Sequence, residues 1–111
     1  MDIRHEREGD VTVLVPSGRI DSTTSAELER ACEEHIAQGS TRLLLDLAHV
    51  DYVSSAGLRV FLVAGKKAQR VGGRLALCNL SPMVREILAI AGFDRILTTA
   101  QSRGEGLAKL I

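Results

Sequence analysis

Two short, unbroken apolar runs, Leu43-Leu44-Leu45 and Leu75-Ala76-Leu77-Cys78, limit what this chain can fold into more than any other feature. Apolar runs without polar alternation suit strands buried on both faces, and such strands belong to sheets with helices packed against them. Around these runs the apolar period changes to three and four. Leu28, Ala31, Cys32 and Ile36 fall on one face of a helix that Gly39 ends. Leu58, Phe61, Leu62, Gly65 and Ala68 mark a second helix, which Gly72-Gly73 stops, while Lys66, Lys67 and Arg70 lie largely off that face. Val84, Ile87, Leu88 and Ala91 form a third, opened by Ser81-Pro82 and closed by Gly92. Thr24 with Glu27, and Ser102 with Glu105, have capping-box spacing. They predict one helix start near Thr24 and a terminal helix carrying Leu107, Leu110 and Ile111.

The beginning of the chain reads differently. Residues 2–7 alternate weakly, as a polar strand at a sheet edge would, and Glu8-Gly9-Asp10 is a turn. Val11 to Val15 is a stronger strand that Pro16 and Gly18 are expected to break. Gly18 to Thr24 is then a polar stretch feeding the first helix, and a further short strand is expected around Ile96-Leu97-Thr98. The order β-β-α-β-α-β-α-β-α implies parallel pairing with right-handed crossovers. The expected fold is therefore α/β, a single domain over residues 1–111. It would be a mixed, mostly parallel sheet of four to five strands, with an N-terminal β-hairpin and about four helices.

Composition narrows the function. Fourteen basic and fourteen acidic residues leave a formal net charge of zero, so non-specific binding of nucleic acid or a membrane surface, which needs a sizeable positive field, is not expected. One tyrosine, two phenylalanines and no tryptophan give little to stack bases on. The apolar runs are far short of the roughly 20 residues that span a bilayer, and no leader pattern opens the chain. The expected setting is the cytoplasm, with Cys32 and Cys78 as reduced core residues.

Catalytic and cofactor chemistry find little support. His5, His35 and His49 are scattered, without acidic or thiol partners at ligand spacing, so no metal site is expected. A phosphate-cradling glycine loop ending in Lys-Ser or Lys-Thr is absent, and Gly72-Gly73 reads as a helix end. Val53-Ser54-Ser55-Ala56-Gly57 lacks the first glycine of a nucleophile elbow and has no evident base. The expectation is a protein that is not an enzyme and holds no cofactor.

The informative segment runs from Asp46 to Arg59. A buried strand ends, the chain loops out, and Ser54 and Ser55 open the next helix at the edge where parallel sheets usually dock ligands and partners. Either serine can cap the helix by accepting an amide hydrogen bond. Either can also accept a phosphate, which free N–H groups and the helix dipole would accommodate.

Gly18-Arg19-Ile20-Asp21, Leu45-Asp46-Leu47 with Val50, Tyr52 and Val53, and Ser54-Ser55-Ala56-Gly57-Leu58 occur in an order that resembles the STAS domain of bacterial anti-sigma factor antagonists. Gly72-Gly73-Arg74-Leu75 and the stretch from Ser81-Pro82 to Gly92-Phe93 extend the resemblance over nearly the whole chain. It implies a partner switch. The unphosphorylated antagonist binds an anti-sigma factor that is also a serine kinase, phosphorylation ends the binding, and a PP2C-type phosphatase resets the system. Aligned on Gly57, the resemblance puts the phosphoacceptor at Ser55, with Ser54 as second choice. It implies a partner-binding surface of Asp21, Ser54, Ser55, Gly57 and Arg59. Tyr52 is read as loop packing, and the protein is expected to work as a monomer.

Two other readings share this fold. One is an interaction module in a partner switch without a sigma factor, controlling secretion, biofilm or stress signalling. The other is a nucleotide- or anion-sensing regulatory domain, which lacks a phosphate loop. The absence of a membrane segment speaks against a transporter's terminal domain.

Overall fold

The computed structural model describes residues 1–111. Its elements are strands β1 (Asp2–Glu8), β2 (Val11–Ile20), β3 (Arg42–Asp46), β4 (Val50–Val53), β5 (Arg74–Cys78) and β6 (Thr98–Ala100). The helices are α1 (Ser25–Ala37), α2 (Ser55–Arg70), α3 (Pro82–Ile90) and α4 (Arg103–Lys109), with a 3₁₀ turn at Phe93–Arg95. The sheet order is β1-β2-β3-β5-β6, and β4 also pairs with β2. Only β1 is antiparallel to its neighbour; every other pairing is parallel.

The apolar runs do what their pattern predicts. Side chains alternate across a strand, so Leu43 and Leu45 enter one core while Leu44 enters the other. Leu75 and Leu77 join the first core, and Ala76 and Cys78 the second. The larger core also takes Leu28 and Cys32 of α1, Phe61 of α2 and Leu88 of α3. On the other face Val11, Val13, Val15 and Leu44 lie under α4, and its Leu107 together with Leu110 just past its end closes the smaller core.

The sheet has six strands, one more than the upper expectation, because β2 does not stop at Pro16 but runs on to Ile20. Proline is tolerated where no ladder partner needs its missing N–H. Here β3 pairs with β2 only as far as Leu14, and β4 takes over from Gly18, so Pro16 falls between two partners on that side. Gly18, at φ +102°, absorbs the shift in register beside Arg19. The last strand is displaced as well. Phe93–Arg95 turns as a 3₁₀ segment, Ile96 stays exposed, and Thr98–Ala100 pairs with β5 instead of the segment around Ile96-Leu97-Thr98. Ile111 lies beyond α4 and is exposed.

Close backbone approach explains Gly73. A Cβ there would lie 1.9 Å from the Thr41 carbonyl oxygen, so no other residue fits where α2 hands over to β5.

Candidate functional site at the start of the second helix

The end of β2 and the end of β4 lie side by side, with Ile20 opposite Val53. The Ser54 amide donates to the Ile20 carbonyl at 2.8 Å, which fixes where α2 begins. Ser54 has extended backbone angles and its hydroxyl accepts from the Gly57 amide at 3.4 Å, so Ser54 is the N-cap. Ser55 is the first residue of the helix and is exposed. The two roles open in the sequence thus fall on different residues, with the cap on Ser54 and the free surface hydroxyl on Ser55. No acidic side chain occupies the first turn of α2, leaving the positive end of its dipole uncompensated.

Gly57, expected on the partner surface, is buried instead. A Cβ there would come within 2.7 Å of Ile20 Cγ2 and Val53 Cγ1 and 3.0 Å of the Ile20 oxygen. Its contribution is to let α2 seat against the ends of β2 and β4, which holds Ser55 outward.

Asp21 follows directly on β2 and organises the start of α1. Its Oδ1 accepts from the Thr23 amide at 2.9 Å and the Thr23 hydroxyl at 2.7 Å, and the Thr24 Oγ1 lies 3.4 Å away. The Thr23 hydroxyl and amide hold the Asp21 carboxyl below its ordinary pKa, so it is ionised at neutral pH. Thr24 occupies the N-cap position of α1 but makes no capping bond with its side chain. Its hydroxyl donates to the Arg19 carbonyl at 2.7 Å, and Glu27 turns to the terminal amine of Met1 at 3.2 Å, so the expected capping box does not form.

Arg19 was not apparent as a site residue. Its guanidinium lies 4.5 Å from the centroid of the Tyr52 ring, its register partner on β4, and its Nε is 3.7 Å from Asp21 Oδ2. Tyr52 is therefore held under a cation, and Arg19 carries a positive charge next to the Asp21 loop. Arg59, by contrast, points at Glu29 of α1 at 3.6 Å and is otherwise exposed. Asp21, Ser54 and Ser55 belong to one edge formed by β2, β4 and α2, whereas Arg59 faces the seam between α1 and α2.

A second polar cluster shapes the loop leading to this edge. Asp46, its side chain 7% exposed, accepts from Asn79 at 3.0 Å, from the Ala48 amide at 3.1 Å and from Arg103 Nη2 at 2.9 Å. Burial opposes ionisation of Asp46, but those hydrogen bonds outweigh it and lower the pKa. Arg103 also reaches Glu6 of β1 at 2.8 Å, which ties α4, β3 and β1 together.

No group of three or more metal-ligating side chains forms. The two cysteines are buried free thiols, each pushed up to about 12 chiefly by burial. The histidines are less scattered than their spacing implies, since the fold brings the rings of His5 and His35 to 5.3 Å between centroids. No helix is long and apolar enough to cross a membrane.

A family model for the STAS domain matches residues 2–106. The chain belongs to the STAS domain family. BtrV of Bordetella bronchiseptica, whose name puts it in the anti-sigma factor antagonist class, is 43% identical over 103 residues, covering 93% of this chain and 89% of BtrV. The anti-sigma-B factor antagonist of Listeria monocytogenes is 30% identical over 100 residues, 90% of this chain and 88% of that protein. The fold matches an anti-sigma factor antagonist structure from Thermotoga maritima with a TM-score of 0.91 at 21% identity, covering 97% of this chain and 93% of that one.

Proposed function

We propose that this STAS domain is an anti-sigma factor antagonist working by partner switching, with Ser55 as the residue whose phosphorylation ends the interaction. The observation that carries this reading is the division of labour at α2. Ser54 holds the cap, so Ser55 is an exposed hydroxyl on a helix terminus with no acid in its first turn. A phosphate there gains backbone N–H donors and the dipole without disturbing the cap. Asp21, Ser54 and Ser55 form the docking edge, and Arg59, turned toward Glu29 of α1, stands outside it.

The partner is an anti-sigma factor that is itself a serine kinase. It must hold Ser55 at the γ-phosphate of its nucleotide, so one surface serves for docking and for transfer. Transfer moves the phosphoryl group from the nucleotide to Ser55 Oγ, and the hydroxyl proton leaves to a base on the kinase. The product carries nearly two negative charges facing an anionic nucleotide site. Moving the antagonist from mostly bound to mostly free takes roughly 5 kcal/mol of differential affinity, and like charges in a desolvated interface supply energy of that order. A PP2C-type phosphatase restores the binding form by hydrolysis.

The test is capture from the native lysate by wild type, Ser55→Ala and Ser55→Asp, with phosphosites mapped after adding ATP. The expected result is a small serine kinase retained by wild type and Ser55→Ala and lost by Ser55→Asp. Equal retention by all three, with no phosphate on Ser54 or Ser55, would overturn the reading.

A further inference from the structure

β1 is a polar edge strand in which only Ile3 is even half-buried. Met1 and Ile3 pack against the larger core, and the terminal amine meets Glu27. His5 also faces α1, its ring 5.3 Å from that of His35 with the planes tilted by 56°. Both rings line a cleft of about 340 Å³ between the two elements, together with buried Leu14 and exposed Glu34 and Gln38. We propose that His5 and His35 form a two-nitrogen site for a divalent transition ion of the zinc class, which clips β1 to α1.

Geometry is the main argument. Metal–nitrogen bonds of about 2.0–2.1 Å at a tetrahedral angle put two imidazole centroids about 5 Å apart, close to the separation the fold already provides. The two rings come from different elements whose backbones are held by the sheet and by the α1–α2 packing, so little ordering remains for the ion to impose. His5 is exposed and His35 half-buried, which leaves the pair open to an ion from solvent.

Exposed Glu34 lines the same cleft and adds negative charge near a bound cation. No third histidine, cysteine or carboxylate completes a cage, so water fills the remaining positions and the site is an open one. Imidazole nitrogens without a carboxylate set select zinc, nickel or copper over magnesium or calcium. The ion binds only when β1 is docked, and so it stabilises the docked edge.

The experiment uses the tag-free chain at pH 7.5, with zinc chloride alone as probe and magnesium chloride as control. Saturating zinc is expected to raise the Tm by about 5 °C. The rise should vanish in His5→Gln and in His35→Gln and persist in His49→Gln. Ring-proton NMR of the wild type should show His5 and His35 shifting together at one equivalent of zinc. This second readout decides the matter even where a variant fails to fold. Unmoved His5 and His35 resonances, a Tm rise surviving in either variant, or an equal rise with magnesium would overturn the proposal.

Discussion

Thr12 is 1% exposed and its Oγ1 has no hydrogen-bond partner. A hydroxyl stripped of water without replacement costs roughly 1–3 kcal/mol in protein mutational data. Thr12→Val keeps the shape and removes the unpaired hydroxyl, so it should stabilise the fold by about 1 kcal/mol, read as a higher midpoint in urea at unchanged slope. Asp46 is the opposite case, a buried carboxylate with several donors, and it depends on them. Arg103→Met leaves Asp46 short of its cation. The expected loss is about 2 kcal/mol at pH 7, less than the roughly 3–5 of a fully buried pair, because the Arg103 side chain is 30% exposed. The pH dependence has a definite sign. Asp46 has a lowered pKa in the folded state, so its stabilisation is complete above the ordinary aspartate value near 3.9 and is lost as pH falls through the folded value. Urea midpoints of wild type and Arg103→Met should therefore converge as the pH falls below the ordinary carboxylate range near 4, with Glu6, also held low by Arg103, acting in the same direction. A gap that stays constant with pH would assign the cost to lost packing of the arginine stem.

At the scale of the element, the start of α2 separates two neighbouring hydroxyls by their energetics. Ser54→Ala removes a cap and should cost about 1 kcal/mol of stability, while Ser55→Ala should stay within about 0.5. Thermal denaturation of the two variants checks this, and equal losses would mean that the cap is shared. The pair itself was legible in the sequence, because two small hydroxyl residues between an apolar strand and a helical period mark a helix start. Which of them caps was not, since that turns on whether the Ser54 amide or its neighbour reaches the Ile20 carbonyl. β3 and β5 were legible from runs too uniformly apolar to be anything but doubly covered strands. β4 was hidden because its ladder partner, Gly18 to Ile20, lies beyond a proline and a glycine that ordinarily end a strand. The pairing exists only because β2 changes partners at that point. Arg19 and Tyr52 were hidden with it, as their contact is a consequence of that register. The Thr24 cap failed because a capping box needs Glu27 and the Thr24 hydroxyl free, while the Arg19 carbonyl and Asp21 amide engage the hydroxyl and the terminal amine of Met1 takes Glu27.

For the whole molecule, the placement of the switch proposed at Ser55 matters more than its chemistry. Both cores close without Ser55: the larger under α1, α2 and α3, the smaller under α4. The residues that seat α2, Gly57 against Ile20 and Val53, face inward, and Ser55 faces out. A phosphate on Ser55 thus adds charge to the surface without entering a packed region, and interiors this close-packed change by discrete rearrangement or not at all. The signal must then be read by the partner and not by a refolded domain. Amide spectra of the wild type before and after quantitative phosphorylation should differ around Arg19 to Ser25 and Val50 to Arg59. The strands β3 and β5 and helix α4 should be unmoved, with a change in Tm of no more than about 5 °C. Shifts spread through β3 and β5 would show instead that the phosphate acts by altering the fold. The switch would then rest on a conformational equilibrium of the domain itself, and the affinity for the partner would follow the population of the unaltered form.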